Sequence, residues 1–217
     1  NELFDRVIPE LLTSSSPTNP APFDWLTYLR SSPQTPEAPV ILVPVLRNSD
    51  PPTKSGPTLC RMLSKHLGIR DEHFVWPWRI GEYIQFRKTI AILFIDDFLG
   101  TGHQFAEFIT SFNLGPLLQN TYSVYTPLTA HEKGIDYLQN AFPTLLLSAS
   151  ERLTHKSNFF HSESTKFLDG HNTIASTWNT YKSLLQRAGF PARPAYRGYG
   201  KLGVVYSFSH ATPDNSI

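Results

Sequence analysis

Ile90-Ala91-Ile92-Leu93-Phe94-Ile95-Asp96-Asp97-Phe98-Leu99-Gly100-Thr101-Gly102-His103-Gln104 is the stretch that decides the fold. Its first six residues are apolar, rich in isoleucine and free of period-two alternation, which reads as a strand buried on both faces of a parallel sheet. In open α/β sheets ligands sit beyond the carboxyl ends of such strands, and there the chain sets two adjacent carboxylates, Asp96 and Asp97. Glycine at 100 and 102 lets the backbone amides turn inward, and a helix starting near His103 points its amino end at the same place. An acid pair, a glycine turn and a helix amino end, in that order, outline a site for a phosphorylated sugar.

Two other readings of the stretch stand beside this one. Four apolar residues before Asp-Asp also describe a Walker B strand, but that requires a Walker A loop. No G-x-x-x-x-G-K-[ST] occurs in the chain, and Lys54-Ser55-Gly56 carries its glycine on the wrong side. The other alternative is a strand and turn with a purely structural role.

Working outward, strands alternate with helices. Val40 to Val45 is the first apolar run, and Pro44 suits only a strand end or an edge. A polar loop follows, and then a helical pattern over 58–67 with Ser55 near its start. On the other side of the decisive stretch come a helix over 104–112, a strand over 121–128, a helix over 131–140 and a strand from Leu145. These βαβ units predict right-handed crossovers and a mainly parallel sheet flanked by helices, spanning 39–150. Residues 1–38 form a helical preface, with helical spacing over 1–12 and 23–30 around a Ser/Pro/Thr/Asn-rich segment. Residues 151–217 form a less regular C-terminal region, with a long helix over 172–188 and a strand over 203–208.

Composition narrows the function classes. A formal charge of +1 and 19 dispersed basic residues give no field for a polyanion, so nucleic-acid binding is not expected. The lone Cys60 forms no internal disulfide, no apolar run approaches 18 residues, and no basic-then-apolar leader opens the chain; a cytoplasmic protein with no membrane segment is expected. The final residues neither cap a helix nor end a strand, so the chain is expected to continue past Ile217. Fifteen Phe, nine Tyr and four Trp supply a core of adequate size. Trp76 and Trp78 read as packing residues, with stacking on a base as the alternative. The eight histidines include no His-x-x-x-His pair and no Cys partner, so no structural zinc site is expected. There is no G-x-S-x-G either.

The decisive stretch resembles the PRPP-binding signature of type I phosphoribosyltransferases: four apolar residues, an acidic pair, two variable residues and a Thr/Ser/Gly-rich loop. The resemblance implies that Asp96 and Asp97 hold the ribose hydroxyls and act at the catalytic centre. It implies that Gly100, Thr101, Gly102, His103 and Gln104 bind the 5′-phosphate. It further implies that Arg47, Lys54, Ser55 and Gly56, in the loop after the first core strand, bind pyrophosphate; an ordinary solvated loop is the alternative there. Mg²⁺ is implied as cofactor, held through the ligand, with Asp96 as the protein side chain considered for contact. Gly100 and Gln104 depart from the family pattern by removing hydroxyls, and residues 68–88 are short where the family carries another βα unit and a long closing loop. His103 reads equally as a ligand contact or a surface histidine.

Three further motifs narrow the resemblance: Leu153-Thr154 followed by Phe159-Phe160, Gly198-Tyr199-Gly200, and Phe208-Ser209-His210-Ala211-Thr212-Pro213-Asp214-Asn215. With them the chain looks like the phosphoribosyltransferase-like effector domains of bacterial conflict and anti-phage systems. That implies a hood over 151–217, in which His210 and Asn215 are candidate contacts, and a protein partner in a defence operon. Two functions stay open: Mg²⁺-dependent binding of PRPP or a nucleotide with ribosyl or pyrophosphate transfer, or a non-catalytic nucleotide sensor that signals to a partner. Glycosidic hydrolysis of nucleotides is a weaker third.

Overall fold

The computed structural model describes residues 25–32, 39–51, 54–87, 89, 91–164, 173–190 and 194–217. The helix expected over 1–12 lies outside the described residues. Chain contacts group the protein into two compact units, the first running to Ala130 and from Gly134 to Glu151, the second comprising His131–Lys133 and Arg152–Ile217.

The first unit is built on parallel strands. β1 (Val40–Pro44), β2 (Ala91–Leu99), β3 (Tyr122–His131) and β4 (Leu146–Leu147) lie in that order, each parallel to the next. Every residue of β1 and the first six of β2 are buried, as strands covered on both faces require. Pro44 ends β1 opposite Ile95, a position where a missing amide breaks no further pairing. The α/β fold expected from the sequence is the fold observed.

The helices cover the sheet through regular apolar stripes. α1 (Trp25–Arg30) buries Leu29, and Arg30 Nε donates to the Leu67 carbonyl at the end of the next helix (2.7 Å). α2 (Ser55–Leu67) buries Gly56, Leu59, Cys60, Leu63 and Leu67, a spacing of three and four, and stops at Gly68 in the left-handed conformation. α4 (His103–Ser111) buries Phe105, Phe108 and Ile109. Phe105 stacks on Tyr125 of β3 at 4.1 Å and meets Phe94 of β2 edge-on at 5.5 Å. Such ring pairs add about 0.5–1.5 kcal/mol each beyond their buried area, and truncating a core Phe costs about 3–5 kcal/mol.

Residues 68–88 hold more structure than their length suggests. Between α2 and β2 the chain forms two 3-10 turns and a helix, α3 (Ile80–Arg87). Phe74 bridges Leu42 in parallel, and the Val75 amide donates to the Leu42 carbonyl (2.8 Å), so a single rung covers the free edge of β1. Trp76 and Trp78 correct the expectation of burial: they are 42% and 57% exposed and stack on each other at 5.2 Å. α5 (Gly115–Asn120) was not anticipated; α6 (Glu132–Ala141) follows β3.

From Arg152 the second unit takes in the rest of β5 (Glu151–Leu153), and it contains α7 (Ile174–Arg187). Thr173 caps α7 reciprocally with Ser176. Phe160, Trp178 and Tyr181 cluster, with the Arg197 guanidinium 4.6 Å over Trp178. The strand expected over 203–208 is not formed. Instead Val204 makes single bridges to Asn158 and Ser216, because Gly203 at φ +57° leaves the extended conformation.

Candidate functional site at the carboxyl edge of β1 and β2

The two aspartates have different surroundings. β2 does not stop at Ile95 but runs to Leu99, so both acids lie within the strand. Asp96 pairs with Pro127 of β3, while the ladder skips Asp97. Asp96 is 4% exposed; Tyr125 Oη donates to its Oδ2 (2.8 Å), and the Asp97 amide donates to its Oδ1 (3.0 Å). Burial, and then the Asp97 charge, push the Asp96 carboxyl well above its ordinary range. Burial likewise raises Tyr125, keeping its hydroxyl a donor. Asp97 is half-buried. A chain of contacts thus runs from α4 to the acid pair: Phe105 fixes the Tyr125 ring, and Tyr125 fixes Asp96.

The glycine turn is clamped from behind. Gly100, Thr101 and Gly102 are buried, and Gly102 takes φ +85° as the residue before α4. A Cβ on Gly102 would lie 2.6 Å from the Tyr137 ring, and one on Gly134 of α6 would lie 2.4 Å from the Gly100 carbonyl. Only glycine allows the turn and α6 to approach this closely. No side chain caps α4, and among the described residues the amides of Thr101, Gly102, His103 and Gln104 bond to no other protein group. Orphan amides at a helix amino end favour an anion. His103 is exposed and meets Tyr137 edge-on at 5.1 Å.

The loop after β1 comes to the same edge. Lys54 Nζ donates to Gln104 Oε1 (3.3 Å), joining the two loops that the sequence separates by fifty positions. Ser55 is the first residue of α2, and Lys54, extended, occupies the capping position; the Ser55 hydroxyl is not a cap. Gly56 brings α2 against the end of β1, where a Cβ would lie 3.1 Å from Pro44 Cβ. Arg47 is occupied. Its backbone amide, Nε and a terminal nitrogen all donate to the Asp50 carboxylate (2.8, 3.1 and 2.6 Å), and its other terminal nitrogen pairs with Glu107 of α4. Burial pushes Asp50 up, but its bonds to Arg47 outweigh this and hold the carboxyl below its ordinary value. The Asp50 hydrogen bond in turn raises Arg47.

Residues 23–217 match the PRTase-CE family model. The chain belongs to the PRTase-CE family. It is a phosphoribosyltransferase-like domain. No curated protein matches it.

In this PRTase-CE chain, sequence reasoning missed the residues that support the site rather than those that line it. Tyr125, Asp50 and Glu107 carry no motif; each is defined by a partner far away or in a loop. Gly134 did leave a signal, a glycine inside a helical pattern, which commonly marks close packing. A cleft of about 470 Å³ also opens beside α2, between Pro44, Pro57, Cys60, Arg61, Lys65 and Trp76. Its Cys60 thiol is buried and pushed up to about 12, which makes it inert.

The motifs of the second unit knit to one another. The Tyr199 amide donates to the Asp214 carbonyl (2.7 Å), and Asn215 Nδ2 donates to the Tyr199 carbonyl (2.8 Å). A Cβ on Gly198 would lie 2.3 Å from the Asn215 carbonyl oxygen. Asn215 is therefore a buried structural residue, whereas His210 stacks on Phe208 at 5.2 Å. Among the described residues no helix is long and apolar enough to cross a membrane.

Proposed function

We propose that this PRTase-CE domain binds a phosphorylated ribose, PRPP or a nucleotide, at the carboxyl edge of β1 and β2. The observation that carries the reading is the meeting of the two loops through Lys54 and Gln104, beside two helix amino ends without side-chain caps. The amides of residues 101–104 and the Thr101 hydroxyl take the 5′-phosphate. Lys54 and the amino end of α2, at Ser55 and Gly56, take the pyrophosphate. Asp97 accepts from the ribose hydroxyls, and Asp96 positions it from beneath by accepting from its amide. Arg47 holds the loop through Asp50 and Glu107 and reaches the ligand only if it leaves them.

The donor set fits Mg²⁺ in the manner of phosphate-dependent sites. The half-buried carboxylate of Asp97 would supply one ligand, and the remaining ligands would come from phosphate and water. Asp96, with both oxygens already accepting, is not a suitable direct ligand. When bound, the cation neutralises charge that develops on departing pyrophosphate. If the domain transfers ribose, the protein's part is electrostatic support of a ribosyl centre of oxocarbenium character.

A second reading, a sensor that binds without turnover, is favoured by the neutralised Arg47 and the short 68–88 segment. Its setting is a bacterial defence system in the cytoplasm with a partner protein, supported by the motifs at 153–160, 198–200 and 208–215. Titration calorimetry with PRPP and Mg²⁺ tests the common core: wild type binds, and Lys54→Met and Asp97→Asn each weaken binding by about tenfold or more. No measurable binding of PRPP or nucleotides by wild type overturns both readings. Pyrophosphate release across a panel of bases then separates them, since steady turnover eliminates the sensor.

A further inference from the structure

We propose that His155, His161 and Glu163 of the second unit form a site for a late first-row divalent cation, zinc being the best match. The ligand atoms of these three side chains all lie within 4.8 Å of one another. Two imidazoles and one carboxylate, with a position left to water, is a zinc-type donor set, whereas Mg²⁺ and Ca²⁺ prefer oxygen alone. Zinc bonds of about 2.0–2.2 Å need the atoms drawn in by about 1 Å, which side-chain rotation at a surface turn supplies.

A second, independent feature prepares one of the rings. Glu132 Oε1 lies 2.9 Å from His155 Nδ1 and also accepts from the His155 amide (2.6 Å). A carboxylate on Nδ1 holds the proton there and leaves the Nε2 lone pair free, which is the carboxylate–histidine arrangement that supports metal-bound imidazoles. The segment is further held by the reciprocal bonds of Thr154 and Ser157 around the 3-10 turn His155–Ser157, and the two rings already meet, with centroids 4.8 Å apart.

Cation uptake displaces two contacts. Glu163 leaves Lys156 Nζ (2.7 Å), a pair between exposed side chains and therefore weak. His161 gives up the bond that its Nδ1 accepts from the Glu163 amide (3.1 Å), and water replaces it at this exposed turn. The spacing explains why the sequence carried no sign of the site: positions 155, 161 and 163 share no helical face, and Glu132, which prepares His155, is 23 residues away. Bound cation would join the 3-10 turn to the turn at 161–163.

The experiment uses the whole chain, stripped with chelator, with Zn²⁺ as probe in calorimetry and Co²⁺ as probe in visible absorption. One equivalent of Zn²⁺ is expected to bind with a Kd in the micromolar range or tighter, and Co²⁺ to give four-coordinate bands. His155→Ala, His161→Ala and Glu163→Gln each weaken binding by about tenfold or more, as does Glu132→Ala through the His155 ring. Lys156→Ala, which frees Glu163, tightens it several-fold. Circular dichroism checks that each variant folds. Zinc binding undiminished in His155→Ala and His161→Ala places the ion elsewhere and overturns the proposal, as does an absence of binding up to about 100 µM. PRPP binding plays no part in the readout, so failure here leaves the nucleotide site untouched.

Discussion

Gly134→Ala is the substitution that most directly tests how the glycine turn is held. The new Cβ would sit 2.4 Å from the Gly100 carbonyl and 2.8 and 2.9 Å from two carbons of Leu99, whereas ordinary contact begins at 3.4 Å. The carbonyl must therefore retreat by about 1 Å, or α6 must lift off the turn. Two effects oppose each other. Alanine favours a helix interior by about 1 kcal/mol over glycine. Overpacking costs about 1–3 kcal/mol, and here the upper end applies because the contacts are to backbone and to a buried leucine. The net expectation is destabilisation by about 1–2 kcal/mol, a fall in Tm of about 2–8 °C for a chain of this length. Displacement of the turn also weakens PRPP binding, by about tenfold or more, since a shift of about 1 Å spoils a positioned site. Gly81→Ala is the control, because a Cβ there meets nothing within 4 Å, and it leaves stability unchanged or raises it by up to about 1 kcal/mol. Denaturant unfolding and calorimetry decide the matter. If Gly134→Ala is as stable as Gly81→Ala and binds as wild type does, the turn is not clamped by α6.

Asp96 gives a pH signature. Its carboxyl titrates well above 3.8 in the folded protein, so from pH 3.8 upward the native state holds a proton that the unfolded chain has lost, and stability falls as pH rises through that window. Asp96→Asn flattens this slope in urea midpoints taken between about pH 4 and about pH 8, and an unchanged slope refutes the assignment. Cys60, with its thiol at about 12, reacts with a disulfide reagent near neutral pH at least about a hundredfold more slowly in the folded protein than in urea, and fast native labelling contradicts its burial. Gly198→Ala combines φ +71° with a 2.3 Å approach to the Asn215 carbonyl oxygen, so it destabilises the second unit by about 2 kcal/mol or more; wild-type resistance to limited proteolysis there counts against the knitted motifs.

Local pattern carried much of the fold. The unbroken, isoleucine-rich apolar run before Asp96 reads as a covered strand, and the three-and-four spacing of Leu59, Cys60, Leu63 and Leu67 reads as an amphipathic helix. The strand expected over 203–208 failed because Gly203 departs from extended geometry, and the tryptophans were misplaced because residue type gives an average burial that a 3-10 turn at the edge of β1 overrides.

By itself the sequence determined the order of strand and helix, the parallel sheet, and the position of the acid pair and glycine turn at a strand's carboxyl end, since each follows from backbone preference and hydrophobic period over a few residues. Only tertiary structure decided that Asp96 lies under a Tyr125 hydroxyl while Asp97 stays half-open, that Arg47 is neutralised by Asp50 and Glu107, and that Lys54 meets Gln104. Charge state and availability depend on which atoms from distant segments lie within a few ångströms and how much water they exclude, and no short stretch of chain encodes that.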